Sequence, residues 1–272
     1  MKLKKCNIFG KNIFFYLEND RYIGKRVALG KYEPYETKLI LRQVKAGDVV
    51  VDVGANIGYY TILLADKVEK SGKVYAFEPD ITSFEILKKN IKENNLKNVV
   101  AVNAAVGSKV GKLKLHKSKD NLGDHKLYGD GKNIEEIKII KLDDYLADIK
   151  IDLIKVDTQG WDPEVIKGSE KLIKKNKPVI FMEYSPASYK VAKLNEKEMM
   201  KFLRKIYPKI WWINEWLYIY KNLSQEKIDE ICGANKTGYA DLWMKKEVNL
   251  NDKIGQIKDI KIKKLIKRIF DL

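Results

Sequence analysis

Apolar positions along the chain fall into short runs that alternate with longer stretches of helical spacing. Val49-Val-Val-Asp-Val53 is nearly continuous in apolar residues, the pattern of a strand covered on both faces, and Ile57 to Val68 follows with helical character. Lys73 to Phe77 reads as a second strand, and Ile81 to Glu93 as a helix whose apolar side is Ile81, Phe84, Ile86, Leu87 and Ile91. Val99 to Val102 is a third strand, Ile151 to Val156 a fourth and Lys177 to Met182 a fifth. Between the last two, Asp162 to Lys175 reads as one helix, with Pro163 in its first turn and Asp162 as its N-cap. Glu196 to Tyr207 reads as a further helix, and Ile210 to Tyr220 and Tyr239 to Met244 as late strands. This alternation predicts an α/β, Rossmann-like fold: a mostly parallel sheet with helices on both faces, joined by right-handed crossovers.

Three segments break the alternation. Residues 1–45 read as irregular strands and turns ending in a helical stretch, a lid-like extension ahead of a catalytic domain over 46–248. Ser108 to about Lys138 reads as a polar, less regular insertion that holds both histidines, His116 and His125. Residues 249–272 carry Ile262, Leu265, Ile266, Ile269 and Leu272 at helical spacing among basic residues, which predicts a basic amphipathic helix. Such a helix packs on its own domain or a partner subunit, or makes peripheral contact with an anionic membrane.

Lys and Arg outnumber Asp and Glu 53 to 37, giving a net charge of +16. A field of that sign attracts nucleic acid, anionic lipid or acidic substrates, but lysines scattered through helices and loops name no partner by themselves. Cys6 and Cys232 form no Cys-x-x-Cys pair, so neither a zinc site nor a disulfide framework is indicated, and a reduced, cytoplasmic compartment is expected. The basic N-terminus leads into no sustained apolar stretch, so no export signal is read there. The most apolar window, Ile210 to Tyr220, is interrupted by Asn214 and Glu215 and falls short of the ~20 residues that span a bilayer.

In an open α/β sheet, ligands bind beyond the carboxyl ends of the strands, which puts Gly54-Ala-Asn-Ile-Gly58 at the expected cofactor site. Gly54, Ala55 and Gly58 let the backbone bend and approach a ligand closely, Asn56 lies within the bend, and Asp52 points a carboxylate at the same crevice. Counting from Gly54, Asn56 and Tyr59 stand where a dinucleotide fingerprint needs glycines, so a pyrophosphate fits poorly. A nucleoside without phosphates fits better, and S-adenosylmethionine has an amino-acid tail that can lie along this loop. The second strand closes in Phe77-Glu-Pro-Asp80, where the Glu78 carboxylate can accept from both ribose hydroxyls. Asn103, ending the third strand, offers an amide near the expected adenine.

These features in this order resemble the FkbM-type methyltransferase family. The likeness rests on Tyr35-Glu-Thr37, Gly47 through Thr61, Phe77-Glu-Pro79, Asn103-Ala-Ala-Val-Gly107, Asp152-Leu-Ile-Lys-Val-Asp-Thr-Gln-Gly160 and Glu164-Val-Ile-Lys-Gly168, and covers roughly residues 30 to 190. It implies a seven-stranded class I methyltransferase fold, S-adenosylmethionine as cofactor, and methyl transfer to a hydroxyl of a sugar, glycan or related small molecule. Where that family has Asp-x-Glu-Gly-Ala, this chain has Asp157-Thr-Gln-Gly-Trp161, which alters the pocket's charge and the room for an acceptor.

Methyl transfer is an in-line displacement that needs positioning and a group to take the hydroxyl proton. Asp157 after the fourth strand, Glu183 after the fifth and His125 in the insertion are the candidates, His125 for its near-neutral reference pKa. Lys155 shares a strand face with Asp157 and can pair with a carboxylate there. Asp157, Asp162 and Glu183 offer hard oxygens of the type magnesium prefers, but their spacing demands no metal and none is expected. Two other readings remain open at this stage. An RNA methyltransferase would use the positive charge and Trp211, Trp212 and Trp216, while a silent Rossmann-like module would account for Gln159 and Trp161.

Overall fold

The computed structural model describes residues 1–17, 23–118, 125–129, 133–214, 219–234 and 238–246. The chain opens with an antiparallel hairpin, β1 (Lys2–Ile8) and β2 (Lys11–Leu17), then two helices, α1 (Gly24–Ala28) and α2 (Pro34–Gln43). The alternating core begins with β3 (Val49–Val53), α3 (Tyr59–Val68), β4 (Lys73–Phe77), α4 (Ile81–Glu93) and β5 (Val99–Val102). Next come β6 (Ala105–Val106), β7 (Gly111–His116), β8 (Ile134–Ile140) and the short α5 (Leu142–Tyr145). The core resumes with β9 (Leu153–Val156), α6 (Asp162–Lys167), α7 (Glu170–Asn176), β10 (Val179–Tyr184), α8 (Pro186–Val191) and α9 (Glu196–Ile206). It closes with β11 (Ile210–Asn214), β12 (Ile219–Asn222), α10 (Gln225–Ala234) and β13 (Ala240–Met244).

Eight strands form the main sheet in the order β12-β11-β13-β10-β9-β3-β4-β5. The five from β10 to β5 run parallel, and β13 is antiparallel to both of its neighbours. The sheet thus has one strand more than the seven expected, because Ile210 to Tyr220 folds back on itself: Trp211 pairs with Asn222 and Asn214 with Ile219, making β12 an added edge. Successive residues of the central strands serve opposite faces. Val51, Ile154 and Ile180 pack into one apolar core, and Val50, Leu153 and Phe181 into the other. Burial on both sides is why these strands read as continuous apolar runs.

Local chemistry sets several boundaries. Asp80 caps α4 by accepting from the Ser83 N–H at 2.8 Å, and Asn195 caps α9 through the Glu198 N–H at 3.1 Å. The single helix expected over 162–175 is two. A Cβ at Gly168 would lie 1.9 Å from the Gly107 carbonyl oxygen, so the chain packs there with bare backbone. Asp143 then caps the second piece, accepting from the N–H groups of Lys171 and Leu172. Asp162 is not the N-cap expected of it. It is the first helical residue, and its Oδ1 accepts from the N–H and hydroxyl of Thr158.

The polar insertion proves regular in its described part: β7 and β8 pair antiparallel from Gly111↔Ile139 to His116↔Ile134, and β6 joins them in a small second sheet. Its alternating Lys112-Leu-Lys-Leu115 buries Leu115 and leaves both lysines at the surface. Residues 1–17 form a complete hairpin whose Ile8, Ile13 and Phe15 share an apolar core with Tyr59, Ile62 and Val50. Side-chain amides fasten it: Tyr16 N–H donates to Asn90 Oδ1, Asn94 brackets the Phe14 backbone, and Asn90 Nδ2 donates to the Ile57 carbonyl at 2.8 Å. Among the described residues no helix is long and apolar enough to cross a membrane. The C-terminal basic segment, 249–272, lies outside the described residues.

Candidate active site

The carboxyl ends of β3, β4, β9 and β10 converge on one cavity of about 270 Å³. At one end the turn after β3 is held by the Gly54 and Ala55 N–H groups, both donating to the Phe77 carbonyl at 3.0 Å. Gly54 has φ +82°, and a Cβ there would lie 1.8 Å from the Asp157 carbonyl oxygen, so only glycine fits. Asn56, also left-handed at φ 49°, directs its N–H to Glu78 Oε2 at 2.7 Å, while Asp80 N–H donates to Glu78 Oε1 at 2.9 Å. Each carboxylate oxygen of Glu78 is therefore fixed by one backbone donor and keeps acceptor capacity toward the cavity. Burial pushes Glu78 up to about 8, against the pull of those two N–H groups.

Asp52 is almost fully buried and lines the same cavity. Its Oδ2 accepts from the Thr61 hydroxyl at 2.6 Å, but its Oδ1 has no hydrogen-bond partner among the described residues. Burial raises its pKa, with Lys155 opposing. A buried carboxylate oxygen without a donor costs free energy unless a ligand supplies one. Gly58 starts α3 at φ 93° and faces Leu87, and the Asn103 amide donates to the Glu78 and Pro79 carbonyls at 2.9 Å each; neither residue lines the cavity.

The small sheet walls this end with Leu115, Leu127 and His125. His125 Nδ1 accepts from the Ser118 N–H at 3.0 Å, which assigns the neutral ring's proton to Nε2, 3.8 Å from Asp80 Oδ1. Asp80 is held below the usual carboxylate range: burial would raise it, but bonds from Lys117 and the Ser83 N–H outweigh that. His116 bridges to Lys126 within the insertion.

At the other end the charges crowd. Lys155, only 3% exposed, pairs with Asp157 Oδ2 at 3.1 Å and lies 4.5 Å from the centre of the Tyr60 ring. Burial alone would lower its pKa, but Asp157, Asp52, Glu36 and Glu33 outweigh that and hold the ammonium above its ordinary value. Asp157 Oδ1 accepts from the Gln159 amide at 3.1 Å, so both of its oxygens have donors. Glu183 lines the cavity, and no group among the described residues donates to its carboxylate. Burial pushes its pKa well above the usual range, and Asp157, Asp162, Asp241 and Glu33 push it further. Glu33 enters from the N-terminal segment, accepting from the Tyr60 hydroxyl at 2.8 Å, and it too is raised by burial. Among the described residues no three acidic, histidine or cysteine side chains are arranged to hold a metal ion.

The sequence model of the Methyltransferase FkbM domain matches residues 52–220, more than half of the chain. The chain belongs to the FkbM methyltransferase family. It is 24% identical over 143 residues to Methyltransferase 1 of Beauveria bassiana, covering 44% of this chain and 57% of that one. Against the hexuronic acid methyltransferase AglP of Haloferax volcanii it is 29% identical over 135 residues, covering 48% and 54%. In both comparisons the match spans a little over half of the relative's length. A solved structure, Methyltransferase FkbM from Methylobacillus flagellatus KT, aligns with 15% identity and a TM-score of 0.48, covering 74% of this chain and 44% of that one.

As an FkbM methyltransferase the chain has the class I fold, here with β12 added. Of the residues singled out from sequence, Asp52, Gly54, Ala55, Asn56, Glu78, His125, Asp157 and Glu183 all line the cavity. Sequence reasoning missed Glu33, Tyr32, Tyr60, Arg26 and Tyr239, which line it as well. Only Glu33 carried a signal: it precedes a proline at a helix start, where the residue is forced out of helical geometry, and it takes φ 39°.

Proposed function

We propose that this chain is an S-adenosylmethionine-dependent O-methyltransferase acting on a hydroxyl of a sugar, glycan or related small molecule. The observation that carries this reading is the pair of unspent acceptors at one end of the cavity: the Glu78 carboxylate, aimed by two N–H groups, and the donor-less Asp52 Oδ1. A ribose diol suits the first and an ammonium the second, and S-adenosylmethionine carries both. Asn56 and Tyr59 stand where a pyrophosphate-binding turn has glycines, which suits a nucleoside without phosphates. When bound, the cofactor supplies an electrophilic methyl on a sulfonium.

The chain's own residues do the rest. Glu183 is the best base for the acceptor hydroxyl, because it is raised and no group among the described residues donates to its carboxylate. Asp157 has both oxygens engaged, by Lys155 and Gln159, and it orients the acceptor instead. The His125 Nδ1 lone pair is taken by Ser118, so His125 shapes the cofactor wall. A sugar acceptor has the support of the hexuronic acid methyltransferase likeness, although Glu33, Asp157 and Glu183 here suit a neutral sugar better than an acid. The RNA reading loses its stacking surface at Trp211, which is buried against Trp243 at 4.6 Å; Trp216 lies outside the described residues.

Calorimetric titration with S-adenosylmethionine, with Glu78→Ala as control, tests the cofactor. Label transfer from methyl-labelled cofactor into fractionated cell extract tests the acceptor. Transfer into RNA rather than carbohydrate or lipid fractions overturns the acceptor class, and wild type that binds the cofactor without transferring label points to the silent module.

A further inference from the structure

Positive charge is unevenly spread along the chain. In residues 1–45, eleven Lys and Arg stand against four Asp and Glu, so about a sixth of the chain carries +7 of the net +16. Of those acids, Glu33 lines the cavity and Glu36 is buried, so neither offsets the charge at the surface. Lys5, Lys25, Lys31 and Lys38 are all exposed, and no carboxylate among the described residues pairs with them.

Apolar side chains stand among these lysines. Ile8 pairs with Lys11, so Phe9 and Gly10 form a two-residue hairpin turn, and both have positive φ, 50° and 85°. Such a turn favours Asn-Gly, and a bulky aromatic at its first position is strained. Burial does not compensate: Phe9 is 43% exposed, with the Lys38 ammonium 5.3 Å from the centre of its ring. Leu29, at the C-terminal end of α1, is 59% exposed. Gly30 brings it beside the hairpin, since a Cβ there would lie 2.6 Å from the Asn7 carbonyl oxygen. The Leu29 N–H donates to the Lys25 carbonyl and the Lys31 N–H to that of Arg26, so both lysines flank the leucine.

We propose that the hairpin tip and the end of α1 form a docking surface for an anionic lipid bilayer. The lysines attract headgroup phosphates, and Phe9 and Leu29 enter the interface, which stabilises an aromatic ring and an aliphatic chain alike. RNA answers to the lysines as well, but it gives an exposed leucine nothing to stack on. Ile23 and Arg26 of the same segment line the cavity, so docking holds the site beside the bilayer. On the acceptor reading above, a glycan carried on lipid is then the acceptor within reach; the docking itself does not depend on that reading.

The test is co-sedimentation of the full chain with vesicles of phosphatidylcholine alone and of equal parts phosphatidylglycerol and phosphatidylcholine. Binding is expected to the mixed vesicles and should fall steeply with added salt. Phe9→Asn supplies the residue the turn prefers, so Tm should hold or rise while partition to the mixed vesicles drops by about tenfold, and Leu29→Ser should lower it by about as much. Lys31→Gln together with Lys38→Gln should lower it by about 25-fold, since each lysine near an anionic surface is worth about fivefold. Equal binding of wild type to both vesicle types, no binding to either, or binding unchanged in all three variants overturns the proposal. So does a gel shift with total transfer RNA that these variants lose while vesicles are ignored. Label transferred only to water-soluble carbohydrate, with vesicle binding intact, overturns the lipid-carried acceptor and leaves the docking in place.

Discussion

The two ends of the cavity solve their electrostatics in different ways. At the cofactor end, Glu78 is held by backbone N–H groups of Asn56 and Asp80, donors that belong to neighbouring turns and cannot ionise. At the acceptor end, Asp52 of β3, Asp157 just past β9, and Glu33 and Glu36 at the start of α2 act on the ammonium of Lys155, so order there rests on charges balancing one another. The first arrangement is rigid and nearly indifferent to long-range contacts. The second is adjustable, because each acid answers to the charge of the others.

The largest effects should come from breaking the backbone side of this contrast. Gly54→Ala puts a Cβ against the Asp157 carbonyl at a left-handed φ, so a loss of several kcal/mol, on the order of 10 °C in Tm, is expected by calorimetry. A near-native Tm would mean the turn can relax, contrary to the geometry. Lys155→Met removes the buried ammonium that balances these acids and should destabilise the fold by about 3–5 kcal/mol at pH 8. The loss should be smaller at pH 5, where the acids recover by binding protons; equal losses in urea unfolding at both pH values would contradict this.

On the proposed cofactor reading, Glu78→Ala takes away the carboxylate that accepts from the ribose and should weaken binding by about 10²-fold in titration calorimetry, with a smaller loss in Glu78→Gln. The same residue sets a pH dependence whose sign is fixed. An acid raised from 4.5 to about 8 binds more protons folded than unfolded between those values, so its contribution to stability is greatest below 4.5 and is lost as pH rises toward 8. Ribose hydroxyls favour the ionised form, so cofactor affinity should climb from pH 6 and level off above about 8. The smallest effect is expected from His125→Asn, a few-fold in cofactor affinity with the maximal transfer rate unchanged, since its free lone pair is already taken. A collapse in that rate would restore His125 as the base.

The same contrast explains what could be read in advance. Val49 to Val53, the Gly54 turn and Glu78 were legible because a buried parallel strand, a left-handed bend and a strand-closing acid each leave a local mark in sequence. Glu33 and Tyr60 were not, because their place in the cavity comes from α2 and α3 packing over the sheet, and no spacing encodes it. The β7–β8 pair was hidden by its charge: Lys112 and Lys114 made a period-2 strand look like a polar loop. The break at Gly168 depended on a carbonyl far earlier in the chain, at Gly107, which no helical pattern could reveal.

One side chain ties distant parts of the molecule together. Asn90 receives the Tyr16 amide with its oxygen and holds the Ile57 carbonyl with its nitrogen, so a clasp of two bonds couples the first hairpin to the Gly54–Gly58 bend, the proposed cradle of the nucleoside. Whatever stiffens that bend should therefore be felt at the amino terminus. Amide exchange at Tyr16 becomes a remote gauge of cavity occupancy, slowing as the site fills although no ligand comes near it.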